Sequence, residues 1–125
     1  MPITPNTGSL FHAETQEAAL KLCHLTNPPT ALVMGSSQLT LGALGALNEM
    51  KLSVPRDISI VGYGDPPWFP LAAPPITTVD LPVEEISCSA ASLLFRHVQQ
   101  NADEARYVDA PFLPELRIRA STAKK

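Results

Sequence analysis

PPTALVMGSSQLTLGALGALNEMKLSVPRDISIVGYGD, Pro28 to Asp65, decides the fold. An apolar run, Ala31-Leu32-Val33-Met34, stops at Gly35. Ser36 and Ser37 follow, and a helical pattern then runs from Gln38 to Leu52. Ser53 and Pro55 break it, and a second apolar run, Ile58-Ser59-Ile60-Val61, ends at Gly62-Tyr63-Gly64-Asp65. Strand, crossover helix and strand of this length imply a parallel, right-handed βαβ unit. Both strands then end on one edge of the sheet, the edge where open α/β sheets bind ligands. Ser36, Ser37, Tyr63, Gly64 and Asp65 meet there and are the candidate ligand-binding residues.

The crossover helix has two faces. On a wheel of 100° per residue, Leu39, Ala43, Ala46, Leu47 and Met50 fall within about 100° and should face the sheet. Leu41, Leu44, Gly45 and Asn48 fall on the far side, small, mostly apolar and uncharged. That side is either scattered exposed apolar surface or a partner surface, where small residues let another helix approach. One of the two serines should cap the helix by accepting from a free first-turn N–H. The other would face the cleft, beside the positive end of the helix dipole.

Outward from this unit, Phe11, Ala18, Ala19, Leu22 and Leu25 make the predicted buried stripe of a helix over His12–Thr26, closed by Asn27-Pro28-Pro29. The Ala31–Met34 strand lacks alternation, which predicts cover on both faces. Beyond Asp65, Trp68 and Phe69 either plug a loop or line the cleft or a dimer seam. A proline-stiffened entry leads to a strand over Ile76–Val79, and Pro82 opens a helix reaching Gln100 with the stripe Ile86, Ala90, Leu93, Leu94 and His97. Two short strands, Tyr107–Leu113 and Leu116–Arg119, and a polar tail from Ala120 complete the chain.

One domain with a modest core suits 125 residues, and 45% hydrophobic content excludes a disordered chain. A net charge of −3 without a basic cluster argues against nucleic-acid binding by this chain alone. Cys23 and Cys88 lie in helical patterns and read as small buried hydrophobes rather than a disulfide. No apolar run reaches membrane-spanning length, and MPITPNTGSL lacks the basic start and apolar core of a signal peptide, so a cytoplasmic protein away from membranes is expected. Gly35-Ser36-Ser37 lacks the second glycine of a nucleophile elbow, and no phosphate loop, dinucleotide fingerprint or metal-ligand spacing occurs. No enzyme activity, catalytic residue, metal or cofactor is expected.

Five segments in register resemble the effector-binding domain of the LacI/GalR family of transcription regulators: PPTALV, LGAL, LSVPRDISIVGYGD, PPITTVDLPVEEI and LPELRIRAST. The resemblance runs from Ala18 to Thr122 and matches the last part of such a regulator. It implies a three-layer α/β/α architecture with a mainly parallel sheet, the C-terminal portion of a periplasmic-binding-protein-like domain. Residues 1–75 would be second-subdomain core, 76–113 a segment returning to a first subdomain that is absent, and 114–125 the final strand and tail. The implied function is small-molecule sensing and dimerisation, with DNA contacted only through an absent helix-turn-helix domain. A fragment of a solute-binding protein for sugar-type uptake, which shares the fold, is the alternative. The resemblance also implies a homodimer through Leu41, Leu44, Gly45, Asn48, Leu71 and Ala72. The family's Asn-Asp after the first strand is Ser36-Ser37 here, and the aspartate that contacts sugar hydroxyls is Gly64. An effector other than a simple hexose is therefore expected.

Overall fold

A computed structural model describes residues 9–99 and 112–124, with side chains from residue 13. The elements are α1 (Ser9–Cys23), β1 (Ala31–Val33), α2 (Ser37–Glu49), β2 (Ser59–Tyr63), β3 (Thr77–Asp80), α3 (Val83–Gln99) and β4 (Glu115–Arg117). The four strands form one sheet in the order β1-β2-β3-β4. The chain divides into two compact units, Met1–Asp80 with Leu116–Lys125, and Leu81–Glu115. The α/β class with a mainly parallel sheet is as the sequence implies.

In the first unit, β1 pairs parallel with β2, Leu32 opposite Ile60, and β2 pairs parallel with β3, Gly62 opposite Thr78. Register partners Leu32 and Ile60 are buried and share a core with Ala43, Ala46 and Leu47 of α2. Those three are the centre of the face expected to meet the sheet; Leu39 and Met50 at its margins are half-buried. Thr40 and Gly42 are buried as well, beside the densely packed α1–α2 contact. Gln16 of α1 donates to Glu49 of α2 at 2.9 Å.

Several expectations are corrected. The shielded side of α1 carries Ala19, Leu20 and Cys23, whereas Ala18, Leu22 and Leu25 are exposed; the side chain of Phe11 lies outside those described. Ala19, a member of the expected stripe, is the buried residue of α1, which packs against α2. β1 is not covered on both faces: Val33 is 78% exposed. An unbroken apolar run records what a strand tolerates, and β1 here is the edge strand. β3, at the expected Ile76–Val79 strand, pairs with β2. Cys88 is exposed rather than buried, and both cysteines are free. The strand expected over Tyr107–Leu113 lies mostly outside the described residues.

Gly62 has a packing role. A Cβ there would stand 2.7 Å from Phe69 Cζ and closer still to Cε2. Phe69 is completely buried, and Trp68 meets it edge-on with centroids 4.5 Å apart. The Phe69 carbonyl accepts from Ile76 N–H at 3.0 Å, which delivers the chain into β3. The aromatic pair therefore plugs the loop, the first of the two roles open from sequence.

The polar tail is also corrected. Arg117 contacts Asp80, Arg119 N–H donates to Thr77 Oγ1, and Ala120 N–H donates to Pro75 O, so the chain descends antiparallel to β3. Ser121 is fully buried below β4. Its Oγ donates to Ile60 O at 2.6 Å and accepts from Thr77 N–H at 2.7 Å, while its carbonyl accepts from Ile60 N–H at 2.9 Å. It fills the ladder position next to Ile60, one residue before the β2–β3 pairing begins at Val61 and Thr77. A buried ladder group without a partner is costly, and the serine hydroxyl and carbonyl remove that cost.

In the second unit, α3 has no buried residue. Of its expected stripe, Ile86 and Leu93 are half-buried, while Ala90, Leu94 and His97 are exposed.

Candidate functional site

Because β1 and β2 are parallel, Gly35-Ser36-Ser37 and Tyr63-Gly64-Asp65 leave the sheet on the same edge. Ser36 is the N-cap of α2: its backbone is extended and its Oγ accepts from Leu39 N–H at 3.2 Å. Its carbonyl accepts from both Thr40 N–H and Thr40 Oγ1. Ser37 is thus the serine that does not cap the helix. It is half-buried, and its hydroxyl has no partner among the described residues.

At the end of β2, Tyr63 is 41% exposed, and its hydroxyl likewise has no partner among the described residues. Gly64 adopts φ 74°, the left-handed conformation that side chains resist. Its N–H donates to Val79 O at 2.9 Å and its carbonyl accepts from Thr78 Oγ1, so both polar groups are engaged by β3. Apart from its chain neighbours, no atom of the described residues stands within 4 Å of where a Cβ would be, which leaves open space at this point.

Asp65 is engaged by two arginines far away in sequence. Arg119 grips both carboxylate oxygens, Nη1 to Oδ1 at 2.8 Å and Nη2 to Oδ2 at 2.6 Å. Two-point contact of this kind is the strong form of an arginine–carboxylate pair. Arg119 Nη1 also donates to Ile76 O at 2.8 Å. Arg117 reaches Asp65 at 3.3 Å and Asp80 at 3.0 Å. The Arg119 hydrogen bonds, with the charges of Arg119 and Arg117, hold the Asp65 carboxyl below its usual range against the opposing effect of burial. The same partner raises Arg119.

Of the five expected ligand residues, only Ser37 and Tyr63 present hydroxyls without a partner among the described residues. Ser36, Gly64 and Asp65 frame the site, with their polar groups turned to the fold. Among the described residues no group of three His, Cys, Asp or Glu is placed to hold a metal.

A profile of the periplasmic binding protein-like domain matches residues 2–122. The chain belongs to this family. The HTH-type transcriptional regulator MalR of Streptomyces coelicolor is 37% identical to it over 115 residues, covering 92% of this chain and 33% of that protein. The HTH-type transcriptional repressor PurR of Glaesserella parasuis is 34% identical over 97 residues, covering 74% of this chain and 28% of the repressor. A LacI family transcriptional regulator from Lactobacillus casei, crystallised with sucrose, superposes with a TM-score of 0.71 at 28% identity, covering 89% of this chain and 40% of that one. This periplasmic binding protein-like chain thus spans about a third of the length of the curated regulators it matches.

The far face of α2 is a distinct feature of the domain. Leu41 is 43% exposed, Leu71 is 82% exposed and Asn48 is exposed, while Leu44, Gly45 and Ala72 are half-buried. A groove of about 280 Å³ runs beside them, lined by Leu44, Leu47, Asn48, Leu52, Ser53, Val54, Ala73 and Pro74. No helix among the described residues is long and apolar enough to cross a membrane.

Sequence reasoning did not single out Arg117, Arg119, Asp80 and Ser121. The signal was present: Arg117 and Arg119 are two apart in the expected Leu116–Arg119 strand, where they would project to the same side. Asp65 follows β2 and Asp80 ends β3, and both meet these guanidiniums.

Proposed function

We propose that this chain is the effector-sensing and dimerising part of a LacI-type transcription regulator. The observation that carries the reading is the shared edge of β1 and β2, where Ser37 and Tyr63 offer polar groups over a floor opened by Gly64, in a domain whose curated relatives are regulators. Those relatives favour a regulator over the solute-uptake alternative. The reading contains no catalytic step, places the protein in the cytoplasm, and assigns DNA contact to a separate domain.

The effector would be a small polyhydroxyl molecule larger than a simple hexose. Gly64 supplies no carboxylate, and Asp65 is held by two arginines, so a single sugar ring lacks the acidic clamp that would bind it. An aromatic ring and a hydroxyl remain, suited to stacking and hydrogen bonding across a longer ligand. Titration with sucrose and with glucose, read by amide chemical shifts, tests this. Shifts at Ser37 and Tyr63 with sucrose, lost in Tyr63→Ala, support it. No shift at either residue with any sugar would discard the site.

The dimer would form isologously through Leu41, Leu44, Gly45, Asn48, Leu71 and Ala72, the surface beside the 280 Å³ groove. Leu41→Asp should shift sedimentation toward monomer while leaving circular dichroism unchanged. An unchanged dimer would move the interface elsewhere.

A further inference from the structure

The chain passes from the first compact unit to the second after Asp80, and returns at Leu116. These passages lie 36 positions apart in sequence, yet one side chain touches both. Arg117, one residue past the return, places Nη2 3.0 Å from Asp80 Oδ2 at the exit. Its Nη1 lies 3.3 Å from Asp65 Oδ2, in the turn that closes β2. Arg119 anchors the same Asp65 and the Ile76 carbonyl, at the opposite end of β3 from Asp80.

We propose that Arg117 is a staple joining the two passages, so that the exit at Asp80 and the return at Leu116 loosen or hold together, with both referred to the β2 turn through Asp65.

Three features argue for this role rather than for an incidental surface pair. Arg117 forks between two carboxylates, one at the exit and one in the turn after β2. Its partners are well shielded, with Asp65 10% and Asp80 22% exposed at the side chain, although Arg117 itself is 45% exposed. Removing Arg117 takes a base away from both Asp65 and Asp80 at once. A lysine keeps the charge, but as a single compact ammonium it cannot reproduce the planar fork. The staple stands on this geometry and does not depend on the effector assignment.

Amide hydrogen exchange on the full chain tests it, comparing wild type, Arg117→Gln, Arg117→Lys and Asp80→Asn. Arg117→Gln should raise exchange by about two- to fivefold at residues 80–83 and 115–118 together, the scale of a partly exposed ion pair acting on local opening. The Ile60 amide, bonded to Ser121, reports the body of the sheet and should not change. Asp80→Asn should loosen both passages to a similar extent, and the double variant should add little. Arg117→Lys should fall between wild type and Arg117→Gln. Loosening of one passage without the other overturns the staple. So does exchange unaltered at both, an Arg117→Lys protein indistinguishable from wild type, or a uniform rise that includes Ile60.

Discussion

α2 and α3 are both amphipathic helices of this chain, and they end in opposite situations. α2 buries five residues: Thr40, Gly42, Ala43, Ala46 and Leu47. α3 is longer and buries none. Val83, Leu94, Phe95 and Val98 of α3 are all more than half exposed. Periodicity shows which side of a helix would be buried, but burial itself needs a neighbour. α2 has the sheet and α1 as neighbours within the first unit. The apolar side chains of α3 exceed what its own unit shields among the described residues. Small residues also serve α2 well, because Gly42, Ala43 and Ala46 permit close approach, whereas the large side chains of α3 require a fitted surface.

The largest expected effect probes the covered region. Phe69→Ala should cost about 3–5 kcal/mol, because a fully buried ring is removed from a cavity that Gly62 leaves open for it. Denaturant unfolding measures it, and a loss below 1 kcal/mol would mean that the loop repacks freely.

The next effect is electrostatic. Asp65→Asn should cost about 2–4 kcal/mol at neutral pH, since the shielded Arg119 would lose the carboxylate that it grips at two points. The fold lowers the Asp65 pKa, so the pair contributes fully above the unfolded carboxylate value of about 3.9 and is lost as pH falls toward the lower folded value. Wild-type stability should therefore decline on acidification below that value more steeply than the variant's. Parallel acid limbs would show that the pair adds nothing.

Ser36→Ala should cost about 1 kcal/mol by removing the cap on Leu39 N–H. Thermal unfolding followed at the α2 signal checks it. An effect near zero would show that solvent replaces the cap, narrowing the contrast between α2 and α3.

The smallest effect is expected in α3. Leu94→Ser should change stability by no more than about 0.5 kcal/mol, as for an exposed position. A cost of several kcal/mol in the same unfolding assay would break the comparison, because it would require Leu94 to be covered in solution.

Much of the fold is legible from local chemistry. Gly35 and Gly62-Tyr63-Gly64 mark strand ends, and an apolar arc on α2 names the residues that meet the sheet; the end of α2 is not so marked, since it stops at Glu49 with Met50 as C-cap and Lys51 at φ 58°, before the expected break at Ser53 and Pro55. These signals survive because backbone conformation and helical periodicity depend on near neighbours in the chain. The shared edge of β1 and β2 is legible for the same reason, since a parallel βαβ unit must end both strands on one side.

Residue types in the sequence by itself also determined that α2 would begin on a serine and that Asp65 would lie at the edge. Only the tertiary structure decided which serine caps and where the Asp65 carboxylate goes. Arg119 is 54 residues from Asp65, and Ser121 is 61 from Ile60. No local pattern encodes such pairings. They arise because the descending C-terminal segment completes ladder positions that β3 does not reach, and because a shielded carboxylate recruits the guanidiniums that the same segment brings to it.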